Sequence, residues 1–110
     1  MKKVINGKLY NTETAELLAF IGNGRNCSDF RFYEETVYKT KNGALFLHKD
    51  GGALSEMAEP CGNNGTCGSQ TIETLTPDQA IAWAEENSAK LHADEQSRIY
   101  KACKKEVIEA

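Results

Sequence analysis

Two of the four Asn-Gly pairs set the first limit on what this chain folds into. Asn6-Gly7 lies between Val4-Ile5 and Leu9-Tyr10, and Asn42-Gly43 lies between Val37-Tyr38 and Ala44-Leu45-Phe46-Leu47-His48. Asn and Gly enter positive φ at low cost, and a tight turn built that way has the twist that antiparallel strands require. Aromatic and β-branched flanks make each pair a predicted hairpin or slightly longer loop. The clearest is Tyr38-Lys39-Thr40-Lys41-Asn42-Gly43-Ala44-Leu45-Phe46-Leu47. Alternation at Phe30, Phe32 and Val37, with Tyr33 and Tyr38, predicts that its first arm begins at Phe30.

A second signal comes after residue 70. Ile72-Glu73-Thr74-Leu75 predicts a short last strand, and Thr76-Pro77-Asp78-Gln79 predicts a helix start. Thr76 caps, Pro77 occupies the first helical position, Asp78 suits the positive helix end, and Gln79 completes a capping box. Ala80, Ile81, Trp83 and Ala84 give that helix an apolar side. After a break near Asn87-Ser88, Leu91, Ile99, Cys103 and Val107 recur at four-residue multiples and predict a second helical segment. Residues 13–21 admit a helix capped by Asn11 or Thr12, or a strand through Leu17–Ile21; the strand supplies a pairing partner for the later strands. The reading is one α+β domain over residues 1–110, a twisted antiparallel β-meander packed against one or two C-terminal helices. Residues 50–70, rich in Gly and Asn, read as a loop inserted in that fold.

Charge is uneven along the chain. The total is −3, with 8 Lys+Arg against 6 Asp+Glu in residues 1–52 and 5 against 10 in residues 53–110. An acidic total argues mildly against binding through phosphate neutralisation, whereas an acidic half suits a basic partner surface. A solvated helical face explains the same residues without a partner. No run approaches the ~18 apolar residues of a membrane span. The start, MKKVINGKLYNTET, lacks the apolar region of a signal peptide, so a cytoplasmic protein is expected. In that compartment the four cysteines are expected as reduced thiols, and the sequons Asn26-Cys27-Ser28 and Asn64-Gly65-Thr66 carry no meaning.

Few residues combine into a chemical motif. Cys61 and Cys67 stand further apart than zinc ligands usually do; Cys27, Cys103, His48 and His92 are the other metal-binding types. Three states stay open for Cys61 and Cys67: free thiols, a disulfide, or ligands to a metal with Cys27 and one histidine. Cys103 reads as a small core residue. No Lys-Ser/Thr follows the glycine loop, so it is not a P-loop. Glu34-Glu35, Glu85-Glu86 and Asp94-Glu95 are neighbours in sequence and point apart on a strand or helix, which makes no acid/base pair. Phe30, Phe32, Tyr33, Tyr38 and Phe46, near Arg25, Arg31, Lys39 and Lys41, form either a base-stacking surface or the core between sheet and helices.

Residues 4–16 (VINGKLYNTETAE), Ser28-Asp29-Phe30, 34–48 (EETVYKTKNGALFLH), Gly51-Gly52-Ala53 and 75–83 (LTPDQAIAW) together resemble small proteins carried by mobile elements of Gram-positive bacteria. That setting includes anti-CRISPR inhibitors. The resemblance spans about three quarters of the chain, brings no catalytic motif, and leaves residues 89–110 outside it. What it implies is a non-enzymatic inhibitor without a cofactor, binding a host defence effector such as Cas9. Charge complementarity assigns the contact to Glu73, Asp78, Glu85, Glu86, Asp94 and Glu95. The alternatives are a nucleic-acid-binding accessory protein that uses the basic aromatic half, and a small metal- or redox-responsive domain centred on Cys61 and Cys67.

Overall fold

The computed structural model describes residues 1–25, 29–55, 57–62 and 65–105. Among them are eight strands and two helices in an α+β arrangement. Strands β1 (Lys2–Ile5) and β2 (Lys8–Asn11) form one hairpin, and β6 (Glu59–Cys61) and β7 (Gly65–Cys67) another. The main sheet has the order β3-β4-β5-β8, all antiparallel: β3 (Glu16–Gly22), β4 (Tyr33–Lys39), β5 (Leu45–Gly51) and β8 (Ser69–Leu75). Helices α1 (Pro77–Glu86) and α2 (Ala93–Ala102) come last.

Local chemistry explains most boundaries. Asn6 and Gly7 both take positive φ, 51° and 76°, and join β1 to β2 with Ile5 opposite Lys8. Gly43 takes φ 87° at the end of the β4–β5 turn, where Thr40 Oγ1 accepts from the Ala44 N–H at 3.0 Å. Residues 16–22 are strand because Asn11 turns the chain and starts no helix. Its Oδ1 accepts from the Glu13 N–H at 3.0 Å and its carbonyl from the Ala15 N–H at 3.1 Å. A register shift between Leu17 and Ala19 then buries both Leu18 and Ala19. The α1 start is a full capping box: Thr76 Oγ1 accepts from Gln79 N–H at 3.2 Å and Gln79 Oε1 from Thr76 N–H at 2.9 Å.

Two expectations shift. Phe30 and Phe32 precede β4, because Asp29 holds them in a turn: its Oδ1 accepts from the Arg31 N–H at 2.7 Å and its carbonyl from the Phe32 N–H at 3.1 Å. Residues 50–70 are also less loop than expected. β5 runs through Gly51, β8 starts at Ser69, and the β6–β7 hairpin stands between them. Glycines allow this close assembly. A Cβ on Gly52 would lie 2.6 Å from the Phe30 carbonyl oxygen, and one on Gly68 would collide with the Gly51 carbonyl oxygen.

Opposed residues in antiparallel strands share a face, which sorts the sheet into two sides. On one side Leu18, Ala19, Ile21, Val37, Leu45 and Leu47 pack against Ile81, Trp83 and Ala84 of α1 and Ile99 of α2. On the other, Phe46 and Ile72 pack under Tyr10 of β2, with Tyr38 stacked on Phe46 at 5.2 Å between centroids. Of the five aromatics, Phe46 with Tyr38 on it is therefore core, but on the face away from the helices, and Phe30 is exposed. Between the sheet and the helices the buried filling is aliphatic apart from Trp83 and Cys103. No helix among the described residues is long and apolar enough to cross a membrane.

Candidate functional site

Of the six acids assigned to a partner surface, five are exposed and one is buried. The exposed five (Glu73, Asp78, Glu85, Glu86 and Asp94) lie on β8, α1 and the first turn of α2. Glu73 faces Lys49 across β5–β8 at 3.7 Å, and Asp78 Oδ1 accepts from Lys105 Nζ at 2.9 Å. Burial, helped by the nearby Glu85 carboxylate, pushes the Tyr100 phenol above its ordinary range. Glu86 and Asp94 have no ion-pair partner among the described residues.

Glu95 is the exception. It is 8% exposed, its Oε2 accepts from the Phe20 N–H on β3 at 2.8 Å, and its Oε1 from the His92 N–H at 3.1 Å. One carboxylate thus fastens α2 to β3 and satisfies a donor at the helix start. Helical spacing marks Glu95 as a first-turn acid and hides its second bond, since the partner lies 75 residues away.

The cysteines resolve differently from the reduced state expected. Cys61 and Cys67 form a disulfide with Cα atoms 5.8 Å apart. Gly62, at φ 62°, folds the chain back so that Cys61 pairs with Gly65 and Glu59 with Cys67, bringing the thiols into bonding range. Sulfurs bonded to each other are not thiolate ligands, so this pair holds no metal in this state. Among the described residues no group of three or more His, Cys, Asp or Glu converges. Cys27, the sequon residues Asn26, Ser28 and Asn64, and Val107 lie outside the described residues. Cys103 is buried, its Sγ against the Pro77 carbonyl at 3.4 Å, and burial pushes its thiol up. His48 faces Gln70, with Nε2 and Oε1 3.0 Å apart, and not a cysteine.

The hairpin borders an open cleft of about 970 Å³, walled by Phe30, Phe32, Asp50, Gly52, Cys67 and Gln70. Thr66 Oγ1 donates to the Ala53 carbonyl at 2.6 Å, which pins the hairpin beside the end of β5, and Ser69 Oγ of β8 donates to the Met57 carbonyl at 2.5 Å. Of the aromatics considered for base stacking, Phe32 and Phe46 are buried, Tyr33 and Tyr38 are half-buried, and Phe30 is 66% exposed. They make no continuous stacking surface.

No family model matches this chain, and no curated protein or solved structure matches it either.

Proposed function

We propose that this protein is a non-enzymatic inhibitor that docks on a basic protein surface through the acids of β8, α1 and the start of α2. The partner class is a host defence effector with a nucleic-acid channel, Cas9 among them. The supporting observation is the exposure of Glu73, Asp78, Glu85, Glu86 and Asp94 on three consecutive elements held by one core. Glu86 and Asp94 are uncommitted, and exposed pairs such as Asp78–Lys105 are weak enough for a partner's cation to displace. Complementary charge of this kind raises association rate and selects partners more than it deepens affinity. Glu95 drops out of this surface, because its carboxylate is consumed inside the fold.

A pull-down of the intact chain with CRISPR effectors at rising salt tests the reading. Binding is expected to weaken with salt and to fall about tenfold or more in a Glu86→Lys/Asp94→Lys variant that melts like the parent. An absence of binding, or binding that ignores both salt and the substitutions, overturns it.

One observation favours the redox alternative as a second reading. The Cys61–Cys67 bridge closes an exposed hairpin within reach of an external dithiol. A thiol titration of the purified chain, before and after a dithiol reductant, decides whether the pair cycles.

A further inference from the structure

The N-terminal half also builds a site of opposite sign. Asn23 follows β3 and ties together two arginine-bearing segments. Its Oδ1 accepts from the Arg25 N–H at 3.2 Å and the Tyr33 N–H at 3.3 Å, while its Nδ2 donates to the Arg31 carbonyl at 2.6 Å. Asp29 braces the same segments from behind. Its Oδ1 takes the Arg31 N–H at 2.7 Å, and its Oδ2 takes Arg25 Nη1 at 3.2 Å. The backbone at Arg25 and Arg31 is thereby braced where both residues line one cleft, and Asp29 also holds the Arg25 guanidinium.

That cleft measures about 440 Å³. Lys90, from the connection between the helices, lines it together with the arginines, as do Tyr33, Leu54 and the carboxylate-bearing Glu35. Glu35 Oε1 accepts from Trp83 Nε1 at 3.2 Å, so its position is set by the core. Arg31 and Lys90 have no ion-pair partner among the described residues, in a chain whose net charge is −3. Three exposed cations lining one cleft give it a potential that attracts an anion. Guanidinium groups match the tetrahedral oxygens of phosphate by paired hydrogen bonds, and an ammonium adds a point charge. The volume falls in the range of small-ligand pockets and is too small for a duplex.

We propose that this cleft binds the phosphoryl group of a nucleotide-sized ligand. Arg31 and Lys90 are its principal anchors, Arg25 is partly neutralised by Asp29, and Tyr33 and Leu54 stand against the attached base. Glu35 offers an acceptor suited to a base amino group or a ribose hydroxyl. The site uses none of the acids proposed to dock a partner protein, so the two readings stand or fall separately.

Heteronuclear NMR titration of the intact chain at low salt tests it, with four probes: inorganic phosphate, a nucleoside monophosphate, the nucleoside without phosphate, and a short single-stranded oligonucleotide. Saturable shifts at Gly22, Ser55 and Lys90 are expected with the phosphate-bearing probes and not with the bare nucleoside. Arg31→Ala and Lys90→Ala are each expected to weaken binding about tenfold, the scale of one charge-assisted contact, without moving the melting midpoint. Equal affinity for phosphate and nucleotide identifies a free-phosphate site, and tighter oligonucleotide binding identifies a strand-end site; both uphold phosphoryl recognition. Failure of every phosphate probe below about 10 mM, or affinity unchanged in both variants, overturns it.

Discussion

The two accessory hairpins have the same architecture and are held by different physics. The β1–β2 hairpin has four-residue strands and is docked by burial: Tyr10 is 7% exposed and meets Phe46 edge to face at 5.5 Å. The β6–β7 hairpin has three-residue strands and no buried residue of its own. A covalent bridge and a side-chain hydrogen bond from Thr66 to the Ala53 carbonyl hold it instead. An isolated two-stranded hairpin is marginal in water. The sequence CGNNGTCG supplies no large apolar group to dock, so cross-linking substitutes for burial there. The comparison shows that a segment poor in apolar residues can still be ordered when its unfolded alternatives are restricted.

The largest test of this contrast removes the burial. Phe46→Ala is expected to cost about 3–5 kcal/mol in urea unfolding, since Phe46 is fully enclosed. It should also expose β1–β2 amides to exchange before β6–β7 amides; unchanged protection in β1–β2 would show that burial is not what docks it. Next comes Cys61→Ser/Cys67→Ser, expected to cost on the order of 2 kcal/mol, with the loss confined to exchange protection of residues 59–67. If the main sheet opens equally, the bridge supports more than its own hairpin. Asn6→Ala should cost about 1 kcal/mol, because alanine at φ 51° clashes with its own backbone. A thermal melt reads it, and no change would mean that the turn relaxes freely.

The smallest effect is electrostatic and has two signs. The Arg31 N–H bond, with Arg25 beside it, holds the Asp29 carboxyl below its ordinary 3.8. Its contribution is present above that value and lost as pH falls below it. Burial and the facing Asp50 push the Glu34 carboxyl above 4.5, so the ionised form destabilises at neutral pH and acid relieves it. Glu34→Gln should therefore raise the midpoint slightly at neutral pH and leave it unmoved in acid, while Asp29→Asn lowers it only at neutral pH. Melts at both pH values check the pair, and like shifts in acid would refute the assignment.

Legibility in the sequence followed the range of the interaction. The capping box of Thr76 and Gln79, the Asn-Gly positions and the apolar side of α1 span a few residues, and local chemistry sufficed for them. The choice of strand for Glu16–Gly22 came from the need for a partner, which β4 supplies. What stayed hidden depends on distant chain. Phe30 and Phe32 alternate like a strand, yet Asp29 turns them out of it. The side of the sheet taken by Phe46 depends on Tyr10, 36 positions earlier by their numbering. The cysteine spacing left three states open, and Gly62 with its positive φ decided among them. In the phosphate cleft, Arg25 and Arg31 were legible as cations; Asn23, which positions both, reads in sequence as an ordinary loop residue.

The Glu95 clamp reaches beyond the fold of one molecule. Sheet edges recruit strands from other chains, and β3 and β8 are the two edges of the main sheet. At β3 a helix lies alongside and its carboxylate occupies a backbone donor, so that edge is closed to a newcomer. β8 pairs with β5 over seven residues without a bulge, and on its outer side the sheet ends. A sheet with one edge blocked offers strand pairing at the other edge alone. Removing the clamp by Glu95→Ala would free the Phe20 N–H and leave both edges of the main sheet open to strand pairing.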